Sequence, residues 1–222
     1  MPWYTSGSRW QSRQMTEAAV DSVAYYDLNA DRFAADTGGV DMSVLYERFL
    51  GRVELGGRIL DAGCGVGRDA LAFAERGYSV VAFDASAEMV RLARERIAGR
   101  AEVLQIRFDD AGWREEFDGV WACASLLHVP ATDLPPVIRR LRAALRPGGV
   151  IYMSFKHGSG ERVVGGRRFT DYTEKMLSAA LAGTGLTLAE VWVTSDVRVG
   201  RIGERWLNAI ATPLVDVSSP QS

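Results

Sequence analysis

The sequence predicts an α/β fold in which a parallel sheet is covered by helices on both faces. Three observations carry this reading. Between residues 58 and 155, short apolar runs alternate with segments of helical period, an alternation that builds parallel strands joined by crossover helices. The first run, Ile59-Leu60-Asp61-Ala62, breaks into Gly63-Cys64-Gly65-Val66-Gly67 and opens a helix at Arg68. The next run, Tyr78 to Phe83, ends in an acid, Asp84, about 20 residues beyond the loop.

Residues 15–35 place Ala18, Ala19, Ser22, Tyr25, Tyr26, Ala30 and Phe33 at helical spacing. Gly38-Gly39 separates them from a second helix, opened by Asp41-Met42-Ser43 and carrying Val44, Leu45, Phe49 and Leu50. A strand over 58–62 leads into a helix over 68–76, and a strand over 79–83 into a helix over 87–98 capped by Ser86. A third strand covers 102–106; after an acidic loop come a strand over 119–124, a helix over 134–145 and a strand over 150–155. Glycines make 158–166 a loop, and Asp171 with Glu174 reads as a capping box for a helix ending at Leu181. Strands over 187–194 and 206–212, joined by 195–205, complete the pattern. Residues 1–14 and 216–222 read as flexible ends, leaving one domain over 15–215.

With 222 residues, 47% of them apolar, the chain can bury one substantial core. A net charge of −2 gives no global field toward nucleic acid. No apolar run approaches the ~20 residues of a membrane span, and Met1-Pro2-Trp3-Tyr4 lacks the regions of a secretory signal, so a cytoplasmic location is expected. Cys64 and Cys123 form neither a CxxC nor a zinc pattern and are expected to be reduced packing residues near the ends of neighbouring strands. No metal is expected, because no convincing cluster of Asp and Asn stands apart from the aspartates discussed below. Lys156 and Lys175 are the only lysines, so an arginine here is not a ligand merely for being an arginine.

Glycines at alternate positions let backbone N–H groups approach a ligand that a Cβ would exclude, and the helix that follows adds the positive end of its dipole. A dinucleotide turn wants a third glycine where Arg68 stands, which disfavours a nicotinamide cofactor. The glycine loop, Asp84, Phe108-Asp109-Asp110, Phe117-Asp118-Gly119-Val120-Trp121-Ala122 and Leu145-Arg146-Pro147-Gly148-Gly149-Val150 follow one another in the order and spacing of a known family. The chain resembles the class I S-adenosylmethionine-dependent methyltransferases, and the resemblance covers roughly residues 25 to 212. It implies a Rossmann-like three-layer αβα sandwich, with a mostly parallel seven-stranded sheet, an antiparallel last strand and an N-terminal helical lid. On that plan 15–52 is the lid, 58–155 the cofactor-binding core, and 156–215 a substrate loop with edge strands. It also implies S-adenosylmethionine as cofactor, S-adenosylhomocysteine as product, and a small-molecule acceptor. A peptide or tRNA acceptor is a second reading, weakened because Ala122-Cys123-Ala124-Ser125 stands where the family's Asn/Asp-Pro-Pro-Tyr motif would be. A non-catalytic binder of the cofactor, acting as sensor or partner, is a third. Monomer and homodimer both stay open.

In open parallel sheets the ligand sits beyond the carboxyl ends of the strands, so sequence position stands in for geometry. That rule gathers Asp61 and the glycines, Asp84, Asp109-Asp110, Ser125 to His128, and Lys156-His157 at one crevice. By resemblance, Gly63, Gly65 and Gly67 bound the methionine part of the cofactor, and Asp61 holds the loop or reaches the amino group through water. Arg68 meets the cofactor carboxylate or is a surface residue. Asp84, with Ala85 beside it, takes the ribose hydroxyls. Asp109 or Asp110 accepts from the adenine amino group, with Trp113 or Phe108 against the ring, and Ala124 and Ser125 offer carbonyls to the ammonium. Tyr25 and Tyr26, with Phe33 and Thr37, resemble an entry helix whose aromatic hydroxyl lies over the cofactor, although consecutive helix positions cannot share one face.

For methyl transfer to oxygen or nitrogen, His128 is the first candidate for base or substrate orienter and His157 the second, and Tyr26 of the entry helix is also a catalytic candidate. Forked guanidinium groups grip carboxylates and phosphates, so Arg162, Arg167 and Arg168, with Lys156 and Tyr172, suggest an anionic acceptor. Arg198, Arg201 and Arg205 are placed to converge on the same mouth. A solvated hairpin is the competing reading of 156–172.

Overall fold

The computed structural model of the protein describes residues 21–198, 200–201 and 203–214. The expected helical start with Ala18 and Ala19, and both expected flexible ends, lie outside them. In chain order the elements are α1 (Ser22–Thr37), α2 (Ser43–Leu50), β1 (Arg58–Ala62), α3 (Arg68–Glu75), β2 (Ser79–Asp84), α4 (Ala87–Ile97) and β3 (Glu102–Gln105). They continue with β4 (Phe117–Ala122), α5 (Leu134–Ala144), β5 (Leu145–Lys156), β6 (Gly160–Val164), β7 (Arg167–Asp171), α6 (Glu174–Leu181), β8 (Leu186–Ser195) and β9 (Arg205–Pro213). Single 3-10 turns at Phe108–Asp110 and Leu126–His128 follow β3 and β4.

Seven strands form one sheet in the order β3-β2-β1-β4-β5-β9-β8. β9, the last strand in the chain, runs against both its neighbours, and the other pairs are parallel. The fold is therefore the Rossmann-like sandwich expected. Period-two alternation sorts its layers. Leu60, Val81, Val120 and Ile151 meet the apolar stripes of α5 and α6, while Ile59, Val80, Trp121 and Tyr152 meet α2, α3 and α4.

Two local expectations need correction. Residues 158–166 are not an open loop: Gly165 (φ 59°) and Gly166 (φ 81°) form a tight turn that closes the β6–β7 hairpin. The N-cap of α6 is Thr173, whose side chain accepts from the Met176 N–H, whereas Asp171 ends β7 and pairs with Arg162. Placement of α2 also differs. Its Tyr46 and Phe49, one turn apart, pack on Phe73 and Trp121 with ring centroids 5.0 and 5.1 Å away respectively, so this face of α2 joins a sheet layer, while Val44 and Leu45 at its start line the cavity that α1 lies across. α1 is capped by Asp21, kinks at Asn29, and seats Ala30 and Phe33 on Val66 and Met89 beside the glycine loop. Among the described residues no helix is long and apolar enough to cross a membrane.

Phe73 is fully buried amid Tyr46, Phe49 and Trp121. Phe73→Ala is expected to lower the unfolding free energy by about 3–5 kcal/mol, read from the urea midpoint at unchanged m-value.

Candidate active site

The site is built where β1, β2 and β4 end. Gly63 and Cys64 both donate backbone N–H bonds to the Phe83 carbonyl at 2.9 Å, which ties the loop to β2. Asp84 completes the tie: one carboxylate oxygen accepts from Gly65 N–H and the other from Ser86 N–H, each at 2.9 Å. Burial raises its pKa. Gly63 has φ 80°, and a Cβ there would lie 2.4 Å from the Ser125 Cβ, so only glycine lets the loop pass this close to the end of β4. On the β4 side, the Ser125 hydroxyl donates to the Ala62 carbonyl at 2.7 Å. Ala124 is held at φ 52°, a left-handed conformation uncommon for a residue with a Cβ, while its N–H donates to Ser154 Oγ at 2.8 Å.

Behind the loop lie two buried acids. Asp69, in the first turn of α3, accepts from Tyr46 (2.5 Å), Trp121 Nε1 (2.8 Å) and Arg68 (2.6 and 3.0 Å). Burial alone would raise its pKa, but the Arg68 guanidinium outweighs that and holds it below the usual range. Asp61 is met less fully, by the Ala70 N–H and the charge of Arg68. Its Oδ2 is buried without a hydrogen bond, and burial followed by the charge of Asp69 holds its carboxyl well above the usual range. Nothing in the sequence pattern flagged Asp69; a carboxylate beside an arginine at a helix start reads as a surface pair.

A cavity of about 1610 Å³ opens in front of the loop. Of the residues expected at the cofactor, Gly63, Gly65, Arg68, Asp84, Ala85, Asp109, Ala124 and Ser125 line it. Several others do not. Asp61 is buried behind the loop, and Gly67 is the left-handed N-cap of α3, packed against Ala93. Asp110 is exposed and off the cavity wall. Trp113 packs between Phe83 and Phe117, which leaves Phe108 as the ring on the wall. Arg68 reaches the cavity but is committed to Asp69.

The catalytic and acceptor candidates separate in the same way. Tyr26 faces the large cavity, whereas Tyr25 turns to a smaller one and accepts from Arg32 at 2.7 Å. His157 is off the cavity, joined to Tyr172 by a backbone bridge and donating its N–H to the Arg205 carbonyl at 3.0 Å. Tyr172 is buried against Phe155, with ring centroids 4.8 Å apart. Arg162 does not line the cavity, being paired with Asp171 at 2.8 Å and lying over the Phe169 ring at 4.8 Å, and Arg168 is buried and paired with Glu161 at 2.5 Å. Lys156 lines the cavity but is bound to Asp196 (3.0 Å) and Glu204, with Trp206 under its ammonium at 3.9 Å. Arg167 remains on the wall with Arg198 and Arg201, while Arg205 does not reach it.

Strand ends and α1 bring two residues 102 positions apart into contact: the Tyr26 hydroxyl lies 2.7 Å from His128 Nε2. The other ring nitrogen, Nδ1, is 2.6 Å from the Arg168 carbonyl. A carbonyl only accepts, so Nδ1 carries the hydrogen, Nε2 is the acceptor, and the Tyr26 O–H donates to it. Burial lowers the His128 pKa from 6.5 to about 4, so the ring is neutral near pH 7. Burial also raises the Tyr26 pKa.

Residues 59–149 match the family described as methyltransferase domain. Methyltransferase GfsG of Streptomyces halstedii is 34% identical over 122 residues, 52% of this chain and 42% of that protein. The malonyl-[acyl-carrier protein] O-methyltransferase of Serratia marcescens is 32% identical over 136 residues, 56% of this chain and 51% of that protein. The chain thus spans about half the length, or less, of these curated relatives. Among solved structures, the 1,6-didemethyltoxoflavin-N1-methyltransferase of Burkholderia thailandensis, bound to 1,6-didemethyltoxoflavin and S-adenosylhomocysteine, superposes with a TM-score of 0.71 at 26% identity, covering 89% of each chain. Together with the glycine loop, the acid ending β2 and the sheet order, these matches show a methyltransferase domain over residues 59–149, in a chain whose fold is similar to that of a methyltransferase holding S-adenosylhomocysteine.

Proposed function

We propose that the chain methylates an oxygen of a small acceptor, with Tyr26 and His128 positioning the nucleophile and taking its proton. One observation carries this: a single cavity joins the loop and Asp84 to the Tyr26–His128 pair. At about 1610 Å³ it exceeds the ~300–1,000 Å³ typical of one drug-sized ligand, leaving room for cofactor and acceptor together. Chain features fit the cofactor. Gly63 and Gly65 bring backbone without a Cβ to the cavity wall, the buried Asp61 Oδ2 has no hydrogen-bond donor among the described residues and is open to one reached through water, and Asp84 retains lone pairs for sugar hydroxyls. Asp109 and Phe108 would hold the adenine, and the Ala124 and Ser125 carbonyls the amino acid end. When bound, S-adenosylmethionine supplies a methyl group already activated by its sulfonium.

The chain's own task is to orient the acceptor and manage one proton. Because the Tyr26 hydroxyl gives its hydrogen to His128, and Arg167 donates toward the same oxygen, one lone pair is left to accept from an acceptor O–H. A histidine near pKa 4 is a weak base. It suffices for oxygen, since an alkylated hydroxyl becomes a far stronger acid than imidazolium as its new bond forms, and the proton passes late through Tyr26 to Nε2. An aliphatic ammonium would keep its proton against such a base. That contrast favours oxygen, or a nitrogen of low basicity, over an alkylamine.

Calorimetry tests the cofactor half. S-adenosylhomocysteine should bind where NAD does not, and Asp84→Asn should weaken it roughly ten- to a hundredfold, the range of a hydrogen bond to a charged group; failure of both methionine cofactors to bind would sink the proposal. Turnover of a hydroxylated acceptor panel tests the other half. Tyr26→Phe and His128→Gln are each expected to lower kcat by ~10²–10⁴ with S-adenosylhomocysteine affinity little changed. A stability measurement reads His128 directly. Its folded value of about 4 lies below the ordinary 6.5, so as pH falls the unfolded chain takes the proton first and stability is lost across that window. Urea unfolding of the wild type should lose on the order of 3 kcal/mol more than His128→Gln between those pH values.

A further inference from the structure

A smaller cavity of about 260 Å³ opens beside the mouth of the large one, and its wall is strongly basic: Arg32, Arg167, Arg198 and Arg201, with Asp36 as the acid and Tyr25 as the aromatic floor. Three of those arginines, Arg167, Arg198 and Arg201, also line the large cavity, so the two spaces are continuous there. The four cations are not equivalent. Arg198 is forked onto Asp196 at 2.9 and 2.6 Å, and Arg201 is bound to Glu204 at 2.8 Å. Among the described residues, Arg32 and Arg167 make no ion pair with a carboxylate. Arg167 lies over the Tyr25 ring at 4.3 Å and beside Phe169 at 5.1 Å, which fixes its plane. Its Nε is buried and has no hydrogen-bond acceptor among the described residues. A buried guanidinium N–H without an acceptor is unfavourable, and an anion's oxygen at this guanidinium would relieve it.

We propose that this pocket is an anion subsite that holds a carboxylate or phosphate group of the acceptor, with Arg167 as its fork and Arg32 as its second cation. The volume suits one such group, and a planar guanidinium offers parallel N–H donors to it. Arg167 Cζ lies 5.9 Å from the Tyr26 ring centroid, so the acceptor carries its anion within a few bonds of the atom that meets Tyr26. Asp36 opposes the anion, yet it is exposed, while Asp196 and Glu204 face Arg198, Arg201 and Lys156. Calling the occupant the methyl acceptor rests on the methyltransferase reading; the anion site itself does not.

The test is calorimetric titration of the full chain, saturated with S-adenosylhomocysteine, with succinate, with inorganic phosphate, and with succinamide as the uncharged control. Repetition uses Arg167→Met and Arg32→Met, the latter on an exposed helix face where folding is not at risk. At least one anion should bind and succinamide should not; whichever anion binds more tightly names the group. Arg167→Met should weaken that binding at least about tenfold and Arg32→Met less, as expected for loss of a forked and a single charged contact, with S-adenosylhomocysteine affinity within about threefold of wild type. Absence of anion binding, or equal binding by wild type and Arg167→Met, overturns the proposal. So does a parallel fall in S-adenosylhomocysteine affinity, which would make the pocket the seat of the cofactor's own carboxylate. Should S-adenosylhomocysteine fail to bind the wild type, the methyltransferase reading falls, and anion titration of the unloaded chain with the same variants still decides the subsite.

Discussion

The buried carboxylate of Asp69 is the constraint on which the site depends. It takes hydrogen bonds from Arg68 on α3, Tyr46 on α2 and Trp121 on β4, joining three elements at the point where the glycine loop turns into its helix. A buried ion is tolerable only when its lone pairs are met, and removing one partner from such a set costs about 3–5 kcal/mol. Saturation here has a second effect. Arg68 is spent on Asp69, so the neighbouring buried acid, Asp61, is left with an oxygen that makes no hydrogen bond among the described residues. One carboxylate is structural because it is satisfied, and the other is open to a donor because it is not.

In front of this anchor, the cavity is walled by two kinds of structure. Strand ends and the glycine loop supply backbone groups fixed by short bonds across β1, β2 and β4. The opposite wall is assembled from α1, the turn after β4, and the β6–β7 hairpin. Tyr26 comes from the first, His128 from the second, and the carbonyl that sets the His128 tautomer from the third. Ser22 accepts the Arg168 N–H at 3.1 Å, binding helix to hairpin. The Tyr26–His128 contact, with its fixed tautomer, therefore requires all three segments to be docked. The burial that holds them together is also what keeps the imidazole neutral.

Much of this was legible in the sequence where the signal is local. Alternation located the strands of the main sheet within about five residues, and the loop and Asp84 line one wall of the cavity as expected. His128, as one of two histidines at strand ends, was expected at the crevice by position alone, and it lines the cavity. What depends on pairing was not legible. Asp109 and Asp110 are indistinguishable by spacing, and only the 3-10 turn sets the first on the cavity wall and the second outside it. His157 satisfies the same positional rule as His128, but a bridge to Tyr172 at the end of β7 takes its backbone out of the crevice. Two glycines that read as a loop close a hairpin, because their positive φ values suit a tight turn as well as disorder.

The hairpin shows why residue type alone misleads. Three arginines read as one anionic grip, yet strand geometry assigns them different fates. Along β7 successive side chains point to opposite faces, so Arg167 and Phe169 share the cavity side and Arg168 turns to the other, where Glu161 meets it. Arg162, across the turn on β6, finds Asp171 at the end of the partner strand. Acids are thus spaced along the hairpin so that two of its three charges are neutralised within it, and the third is held flat by aromatic rings, which orient a cation without cancelling it. A shift of one residue in the β6–β7 register would turn Arg168 to the cavity and pair Arg167 with the hairpin's own acids. Availability of a charge at this site is a consequence of register, and register is fixed by the glycine turn.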